Sequence, residues 1–356
     1  MAPKGSQRIS KSILSWYGTH QRDLPWRTTR DPYHIWVSEI MLQQTQVETV
    51  IPYYHRFLKQ FQTVNALARA PLDKVLKAWE NMGYYARARN LHAAAQAVVK
   101  RFGGKIPDSW DALRSLPGVG DYTAGAILSM AFGLPLPAVD ANVRRIVARL
   151  FAIEEPLDER LTARHVARLA AELVPRQGAG EFNQGLMDLG ATLCTPKNPT
   201  CRACPLEPSC RARARRLEDT LPVAKKRGPI PHHHVTAGIM HDQAGRMLIA
   251  QRPNHGLLGG LWKFPGGKQT GKESLKSCLR RETLEELGIR IRVGASITSV
   301  NHAYTHFRIT LHAFHGRLLT GTPQARGCRD WRWTEKGEFQ EFAFSKADRK
   351  IIQALE

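Results

Sequence analysis

The sequence predicts two domains of different fold class, an all-α domain followed by an α+β domain. In residues 10–193 apolar residues recur at intervals of three and four, as in Val75, Trp79 and Met82, which is the period of amphipathic helices. After His232 the period changes to two, which is typical of strands. A chain of 356 residues is also long for a single hydrophobic core.

The predicted domain boundaries follow this change of period. The all-α domain spans residues 1–212, a basic connector spans 213–231, and the α+β domain spans 232–356. The connector is irregular and contains Lys225-Lys226-Arg227. Contact with phosphates and a plain solvated linker both explain such a composition.

The elements expected in the second domain are five strands and two helices. A helix is predicted over 273–287 and a closing helix begins at Ser345. The strands are predicted over 235–240, 247–251, 289–293, 307–314 and 331–333.

The charge balance is strongly basic, with 52 Lys and Arg against 31 Asp and Glu and a net charge of +21. Such an excess favours a polyanionic partner, of which nucleic acid is the commonest. No stretch approaches the apolar length of a membrane span, and residues 1–12 are polar and basic, unlike a secretory signal. We therefore expect a cytoplasmic protein with reduced cysteines, and a monomer by default.

Four cysteines lie within seventeen residues and predict a metal-binding loop over 194–210. The spacing is Cys194-x6-Cys201-x2-Cys204-x5-Cys210, with prolines between them. Zinc accepts four thiolates, but the uneven 6-2-5 spacing differs from the paired knuckles of structural zinc sites. The spacing resembles the [4Fe–4S] loop of the endonuclease III superfamily of DNA glycosylases.

A glycine-rich turn is predicted between two helices at Leu116-Pro117-Gly118-Val119-Gly120. Such a turn brings backbone N–H groups to a helix N-terminus and suits a DNA phosphate. Followed by Tyr122, it resembles the helix-hairpin-helix motif of the same superfamily. The next helix offers further phosphate contacts, although solvated helix charges explain them equally: Arg144, Arg145 and Arg149.

Two carboxylates attract attention, although neither is decisive from its own segment. Glu39 lies inside an apolar helical run, where burial would raise its pKa and make it a general acid; an exposed Glu on an amphipathic helix is the simpler reading. Asp140 precedes a helix and is a natural N-cap.

Taken together, residues 24–210 resemble the catalytic region of the MutY family of adenine DNA glycosylases. The segments that carry this resemblance are Leu24-Pro25-Trp26-Arg27, Val37–Gln46, Gly83-Tyr84-Tyr85-Ala86-Arg87, the glycine-rich turn, Asp140 with Asn142, and the cysteine loop. The resemblance implies a helix-hairpin-helix glycosylase domain with a [4Fe–4S] cluster. It also implies double-stranded DNA with adenine opposite 8-oxoguanine or guanine as the substrate.

The resemblance assigns four catalytic roles. Glu39 would protonate the departing adenine and then help to activate water, while Asp140 would stabilise or trap the oxocarbenium-like sugar. Tyr122 and Asn142 would hold this constellation. Where a glycosylase/lyase places a Schiff-base Lys, this chain has Tyr122, so a monofunctional enzyme is expected.

The resemblance also assigns residues that open the duplex. Gln44 and Tyr84 match the residues that wedge into it once the adenine is flipped out. The chain departs from the family pattern at two places next to site residues. Ala141 stands where the family has a glycine, and Asn81-Met82-Gly83-Tyr84 stands where the family has Gly-Leu-Gly-Tyr. A glycosylase for T or U opposite G on the same scaffold remains the alternative.

Residues 232–356 resemble a Nudix domain of the kind that reads 8-oxoguanine in these glycosylases. The recognition loop corresponds to Tyr304-Thr305-His306, in which Thr305 keeps a hydroxyl for the oxidised base. An aromatic hairpin tip is the simpler reading of this segment.

The Nudix box is almost complete, running from Gly267 to Ile289 with Thr283 as its one departure. Glu282, Glu285 and Glu286 share one helix face and would suit Mg²⁺ or Mn²⁺. One hypothesis is therefore a divalent-metal site with nucleotide pyrophosphohydrolase activity. A retained helix with a solvated acidic face is the simpler alternative.

Overall fold

The structure is a computed structural model that describes residues 5–223 and 228–355. Its contacts divide the chain into two compact units. The helical unit comprises Met1–Ala68 and Ala93–Arg227, and the mixed unit comprises Arg69–His92 and Gly228–Glu356. Lys225-Lys226-Arg227 of the predicted basic connector lie outside the described residues.

The first two-thirds of the chain form α-helices, as the apolar period predicts. Short 3₁₀ turns lie at Pro25–Arg27, Cys201–Ala203 and Glu207–Ser209. The α-helices are α1 (Ser6–His20), α2 (Pro32–Leu42), α3 (Val47–Gln60), α4 (Val64–Arg69), α5 (Leu72–Ala78), α6 (Ala86–Phe102), α7 (Trp110–Arg114), α8 (Asp121–Met130), α9 (Ala141–Phe151), α10 (Arg160–Leu173), α11 (Ala179–Thr192) and α12 (Arg211–Ala214).

Helix α2 is buried on nearly every side. The Asp31 side chain caps it by accepting a hydrogen bond from the Tyr33 N–H at 2.8 Å, and Pro32 occupies its first turn. Apolar residues surround the axis, including Trp36 and Met41, both fully buried. A helix that is apolar all round belongs in a core, and α2 packs against α3 and α8.

A hydrophobic core of the helical unit forms around α1, α9, α10 and α11. Ile13, Val147, Phe182 and Leu189 are among its buried side chains. Three cysteines of the 194–210 loop pack against the same cluster, which anchors the loop beside α9.

The mixed unit contains two three-stranded sheets. Their orders are β1-β5-β4, with β1 parallel to β5 and β4 antiparallel to it, and β3-β2-β6, which is antiparallel. The strands and helices are β1 (His232–Met240), β2 (Met247–Gln251), β3 (Trp262–Lys263), α13 (Leu275–Leu287), β4 (Arg290–Ala303), β5 (Arg308–Thr320), β6 (Asp330–Thr334) and α14 (Lys346–Ala354), with a 3₁₀ turn at Lys336–Glu341.

Helix α13 packs against β1 and β4. The Ser274 hydroxyl caps its start by accepting from the Ser277 N–H at 3.1 Å, and Gly288 ends it in the left-handed region at φ 69°. Thr283, the departure from the Nudix box, is fully buried and donates to the Leu279 carbonyl at 2.9 Å. Its hydroxyl is therefore satisfied within the helix.

The contacts group Arg69–His92 differently from the predicted boundaries. Lys77 donates to the Phe342 carbonyl at 3.2 Å, and Glu80 accepts from the Phe344 N–H at 2.9 Å. Arg89 donates to the Gly259 carbonyl at 2.8 Å. A segment that reads as part of the helical domain therefore packs in the mixed unit.

Strand prediction in the mixed unit found most positions but underestimated lengths. Strand β2 agrees at both ends, whereas β4 and β5 run well past the predicted 289–293 and 307–314. Register shifts between Val293 and Thr298 interrupt the alternation of inward and outward side chains in β4. A prediction based on a strict period of two therefore ended this strand too early. In the described part of the chain, every helix is too short or too polar to cross a membrane.

Candidate active site

A cavity of about 1210 Å³ opens in the helical unit between α2, α8, α11 and the start of α9. It brings together five residues that the sequence singled out for chemistry or for opening the duplex. These residues are Glu39, Gln44, Tyr122, Asp140 and Asn142.

Glu39 lies in the wall of this cavity and is 3% exposed. The Tyr122 hydroxyl donates a hydrogen bond to its Oε2. Burial raises the pKa of Glu39 to about 7; the Tyr122 hydrogen bond opposes this shift and the nearby Asp140 adds to it. The reading of Glu39 as an exposed helix residue is thus wrong, and a carboxyl that is half protonated near neutral pH faces the cavity.

Asp140 is both a helix N-cap and a cavity residue. Its Oδ1 accepts from the Val143 N–H at 2.7 Å, and its Oδ2 accepts from Asn142 Nδ2 at 3.0 Å. Burial raises the pKa of Asp140, while these hydrogen bonds act in the opposite direction. The capping interaction holds the carboxylate at one end of α9 and leaves it in the cavity lining.

Helix α11 supplies contacts that the sequence analysis did not find. Met187 Sδ lies 3.9 Å from the Tyr122 hydroxyl, and the buried Asp188 carboxylate binds Arg22 Nε and Arg27 Nη2 at 2.7 Å each. A Cβ at Gly190 would lie 2.6 Å from the Asn142 Cβ, so glycine allows α9 and α11 to approach there.

The sequence of α11 contains a pattern from which its close packing against several helices could have been predicted. Glycines recur at 180, 185 and 190, and two polar residues interrupt the apolar face at Asn183 and Asp188. Small residues and buried polar groups at such spacing are typical of a helix that contacts several neighbours closely.

Two of the three arginines considered as phosphate contacts or as solvated helix charges are buried. Arg145 donates to the Cys194 carbonyl at 2.7 Å and to Asn142 Oδ1 at 2.9 Å. Arg149 is 2% exposed and donates to the carbonyls of Thr195 and Leu221 at 2.7 and 2.8 Å. Neither alternative raised by the sequence, phosphate contact or solvated helix charge, fits these two residues, because the loop after α11 leaves backbone carbonyls that need buried donors.

The four cysteines of the 194–210 loop form no disulfides and lie close enough to influence one another electrostatically. Burial raises the pKa of Cys204 to about 12, and the charges of the other three cysteines contribute to this shift. Arg149 Nη1 lies 3.3 Å from Cys194 Sγ. Thiolates crowded in this way require positive charge among them, so the donor set fits a cationic metal cluster.

Within residues 5–223 and 228–355, no three Cys, His, Asp or Glu side chains are grouped as they would be around a single metal ion.

The glycine-rich turn lies between α7 and α8, where the sequence predicts it. Gly118 has φ 74°, and Gly120 is the N-cap residue of α8. Both glycines are exposed while Val119 is buried, so the turn is anchored by Val119 and presents its backbone to solvent. An exposed helix N-terminus of this kind suits an anion.

The two residues predicted to wedge into DNA both have positive φ, 58° at Gln44 and 49° at Tyr84. Such angles are uncommon for residues other than glycine and are strained for a bulky aromatic residue. Each side chain is therefore directed by a backbone conformation that the surrounding structure must maintain.

In the mixed unit, Tyr84 lines a cavity of about 230 Å³ together with Tyr304, Thr305 and His306. The Tyr84 and Thr305 hydroxyls are hydrogen-bonded to each other. Thr305 and His306 are exposed in the turn between β4 and β5, whereas Tyr304 packs against Phe307. The predicted recognition loop is thus the exposed tip of a hairpin.

The carboxylates of the Nudix helix are neutralised by cations of the protein. Arg281 Nη1 lies 2.9 Å from Glu282 Oε1 and from Glu285 Oε2, and Lys263 Nζ lies 2.8 Å from Glu286 Oε1. A Cβ at Gly267 would lie 2.1 Å from Glu282 Oε2, so this glycine gives the carboxylate its space.

Two protein-family models match the chain. The model of the HhH-GPD superfamily of base excision DNA repair proteins matches residues 37–175, and a NUDIX domain model matches residues 236–354. The first match begins at Val37 within α2 and includes Glu39, the glycine-rich turn and α9. The second begins within β1 and includes the other five strands.

Curated relatives extend the similarity over nearly the whole chain. The adenine DNA glycosylase of Homo sapiens is 35% identical, over 97% of this chain and 73% of that protein. The adenine DNA glycosylase of Buchnera aphidicola subsp. Acyrthosiphon pisum is 32% identical, over 87% of each.

Solved structures resemble the first part of the chain. A thermostable thymine-DNA glycosylase superposes with a TM-score of 0.55 at 32% identity, over 60% of this chain and 98% of that one. An endonuclease III bound non-covalently to DNA gives a TM-score of 0.51 at 24% identity over the same shares, which supports the fold alone.

Proposed function

The chain belongs to the adenine DNA glycosylase family, and from this premise we propose that it removes adenine mispaired with 8-oxoguanine or guanine in DNA. The reaction is hydrolysis of the N-glycosidic bond, and it leaves an uncut abasic site. The observation that carries the proposal is the buried, protonatable Glu39 in a cavity that Asp140 also lines.

Glu39 acts as general acid. Adenine is a poor leaving group as an anion, so a proton delivered to the base during bond cleavage lowers the barrier. A pKa of about 7 supplies that proton near neutral pH. After the base leaves, the Glu39 carboxylate accepts a proton from the attacking water, while the Tyr122 hydroxyl keeps it oriented.

Asp140 stabilises the positive charge that develops on the sugar. Its carboxylate is fixed by the Val143 N–H and by Asn142, so it needs no rearrangement as the charge appears. Position 122 carries a tyrosine and offers no Schiff-base amine, which supports hydrolysis without strand cleavage.

Binding of DNA precedes this chemistry, and the net charge of +21 favours it. The backbone of Gly118-Val119-Gly120 holds a phosphate, and the adenine leaves the helix to reach the cavity. Gln44 and Tyr84 fill the space in the opened duplex. The hydroxyl of Thr305 at the exposed hairpin tip reads the 8-oxoguanine.

Cys194, Cys201, Cys204 and Cys210 hold a [4Fe–4S] cluster, which the crowding of their thiols supports. These four cysteines would hold the cluster, and their ligation would tie together the loop from Cys194 to Cys210. Arg145 and Arg149 fix the loop backbone to α9 from within the core.

Hydrolysis of nucleotides by the mixed unit stays a prediction that the geometry does not favour. Arg281 and Lys263 already neutralise the carboxylates that a Mg²⁺ or Mn²⁺ ion would need.

The proposal is tested with duplexes that contain A:8-oxoguanine, A:G, T:G or U:G, each treated with alkali after incubation. We expect strand breaks at adenine in the first two duplexes, and none before alkali. Breaks at T or U alone would support the thymine or uracil alternative and overturn the adenine assignment. Breaks without alkali would overturn the monofunctional mechanism.

A further inference from the structure

Asn183 of α11 is a buried polar side chain beside the backbone that leads into Asp140. Asn183 is 1% exposed. Its Nδ2 donates to the Leu136 carbonyl at 2.8 Å, and its Oδ1 accepts from the Ala138 N–H at 3.2 Å. One amide thus binds the C=O and the N–H of two residues in the same segment, as a neighbouring β-strand would do.

The remaining N–H of Asn183 is also used. Nδ2 donates to Ser129 Oγ in α8 at 2.8 Å. Both donors and the acceptor of the amide therefore have partners, and the side chain has no freedom to reorient.

The same segment is confined on its other side by α8. A Cβ at Gly125 would lie 2.0 Å from the Pro137 carbonyl oxygen, so only glycine allows this approach. Ala138 is fully buried two residues before Asp140. Gly125 sets how closely the segment packs, but a close approach alone does not fix its position along α8.

We propose that Asn183 is a positioning residue for the reaction, because its amide fixes residues 136–138 and thereby directs the Asp140 carboxylate into the cavity. This inference rests on the proposed function, in which Asp140 stabilises the sugar cation. Asn183 itself lies outside the set of residues that line the cavity.

The energetic reason is the cost of unpaired backbone groups. Loss of the amide removes these partners from the buried Ala138 N–H and from the partly buried Leu136 carbonyl. Each such group favours a shifted backbone in which it regains a partner. A displacement of about 1 Å at a catalytic group is enough to cost roughly a hundredfold in rate.

The test compares Asn183→Ala with Ser129→Ala, which removes the third partner of the same amide and leaves the segment's two hydrogen bonds in place. We expect Asn183→Ala to lower the single-turnover rate of adenine release by at least about thirtyfold, with affinity for the duplex within about threefold of wild type. Ser129→Ala should keep its rate within about threefold. Equal losses of rate in the two variants, or a folded Asn183→Ala with the wild-type rate, would overturn the proposal.

Asn183→Asp keeps the shape of the side chain, so it can be measured even if Asn183→Ala does not fold. An ionised carboxylate accepts from Ala138 but repels the Leu136 carbonyl, whereas the protonated form regains one donor. We expect its rate relative to wild type to rise as the pH falls from 8 to 5.5. A ratio that stays constant over this range would contradict the positioning role.

Amide hydrogen exchange separates this inference from the proposed function. If the wild-type chain released no adenine, the proposed function would fail. Asn183→Ala should nevertheless accelerate exchange of the Ala138 amide at least about tenfold relative to Ser129→Ala. Unchanged exchange there would overturn the inference whatever the activity.

Discussion

The carboxyl group of Glu39 and the three carboxylates of α13 have opposite electrostatic environments. In the helical unit, Glu39 is buried with a tyrosine hydroxyl as its hydrogen-bond donor, and burial raises its pKa to about 7. In the mixed unit, Glu282, Glu285 and Glu286 each lie within 2.9 Å of a cationic nitrogen. A carboxyl without a countercharge becomes an acid near neutral pH, whereas a paired one becomes part of the scaffold.

The largest effect that tests this contrast is expected from Glu39→Gln. An amide cannot deliver a proton, so adenine release should slow by about a thousandfold or more in single-turnover assays. Glu285→Gln is the matched control, since its side chain is 59% exposed and paired with Arg281. A similar loss in both variants would show that the two groups do not differ in role.

Lys263→Met removes the countercharge of Glu286 and leaves a buried carboxylate alone. Both side chains of the pair are 9% exposed, so the free energy of unfolding should fall by about 3 kcal/mol at pH 8. The loss should be smaller at pH 5 than at pH 8, because the cost comes from a buried negative charge and acidic conditions reduce that charge.

Urea unfolding of Lys263→Met and of the double variant Lys263→Met/Glu286→Gln measures this effect. The double variant should recover most of the stability, because no charge remains buried. If the single variant lost less than about 1 kcal/mol at pH 8, Glu286 would not depend on its countercharge.

The pH dependence of adenine release follows from the raised pKa of Glu39. The protonated form is the active acid, so the rate should be highest below pH 7 and fall as the pH rises through about 7. Between pH 7 and 9 the protonated fraction falls roughly fiftyfold. Single-turnover rates under constant salt measure the profile, and a flat profile to pH 9 would exclude Glu39 as the acid.

The smallest effect is expected from Thr283→Val in α13. The hydroxyl binds a carbonyl of its own helix in a buried position, and valine has the same shape. Stability should change by at most about 1 kcal/mol in thermal unfolding. A larger loss would mean that Thr283 supports the neighbouring carboxylates.

Burial of Glu39 could have been predicted from its own segment. Apolar residues surround the axis of α2, and a helix with that pattern lies in a core rather than at a surface. An amphipathic helix would expose Glu39, but the apolar residues of α2 are not confined to one face. The catalytic carboxyls were identified by resemblance, and their electrostatics needed the fold.

Other features could not be predicted from local patterns. The burial of Arg145 and Arg149 depends on carbonyls of a loop about fifty residues later in the chain. The role of α11 depends on which helices it meets, and periodicity does not specify partners. The same limit explains why Arg69–His92 was assigned to the helical domain.

The order of synthesis gives the placement of Arg69–His92 a consequence for the growing chain. At about 5–20 residues per second, translation from His92 to Gly228 takes roughly 7 to 27 s. During that time the segment around Gly260, which Leu76 contacts in the finished protein, has not been made. A ribosome that stalls within residues 93–227 would therefore leave this part of α5 without one of its packing partners.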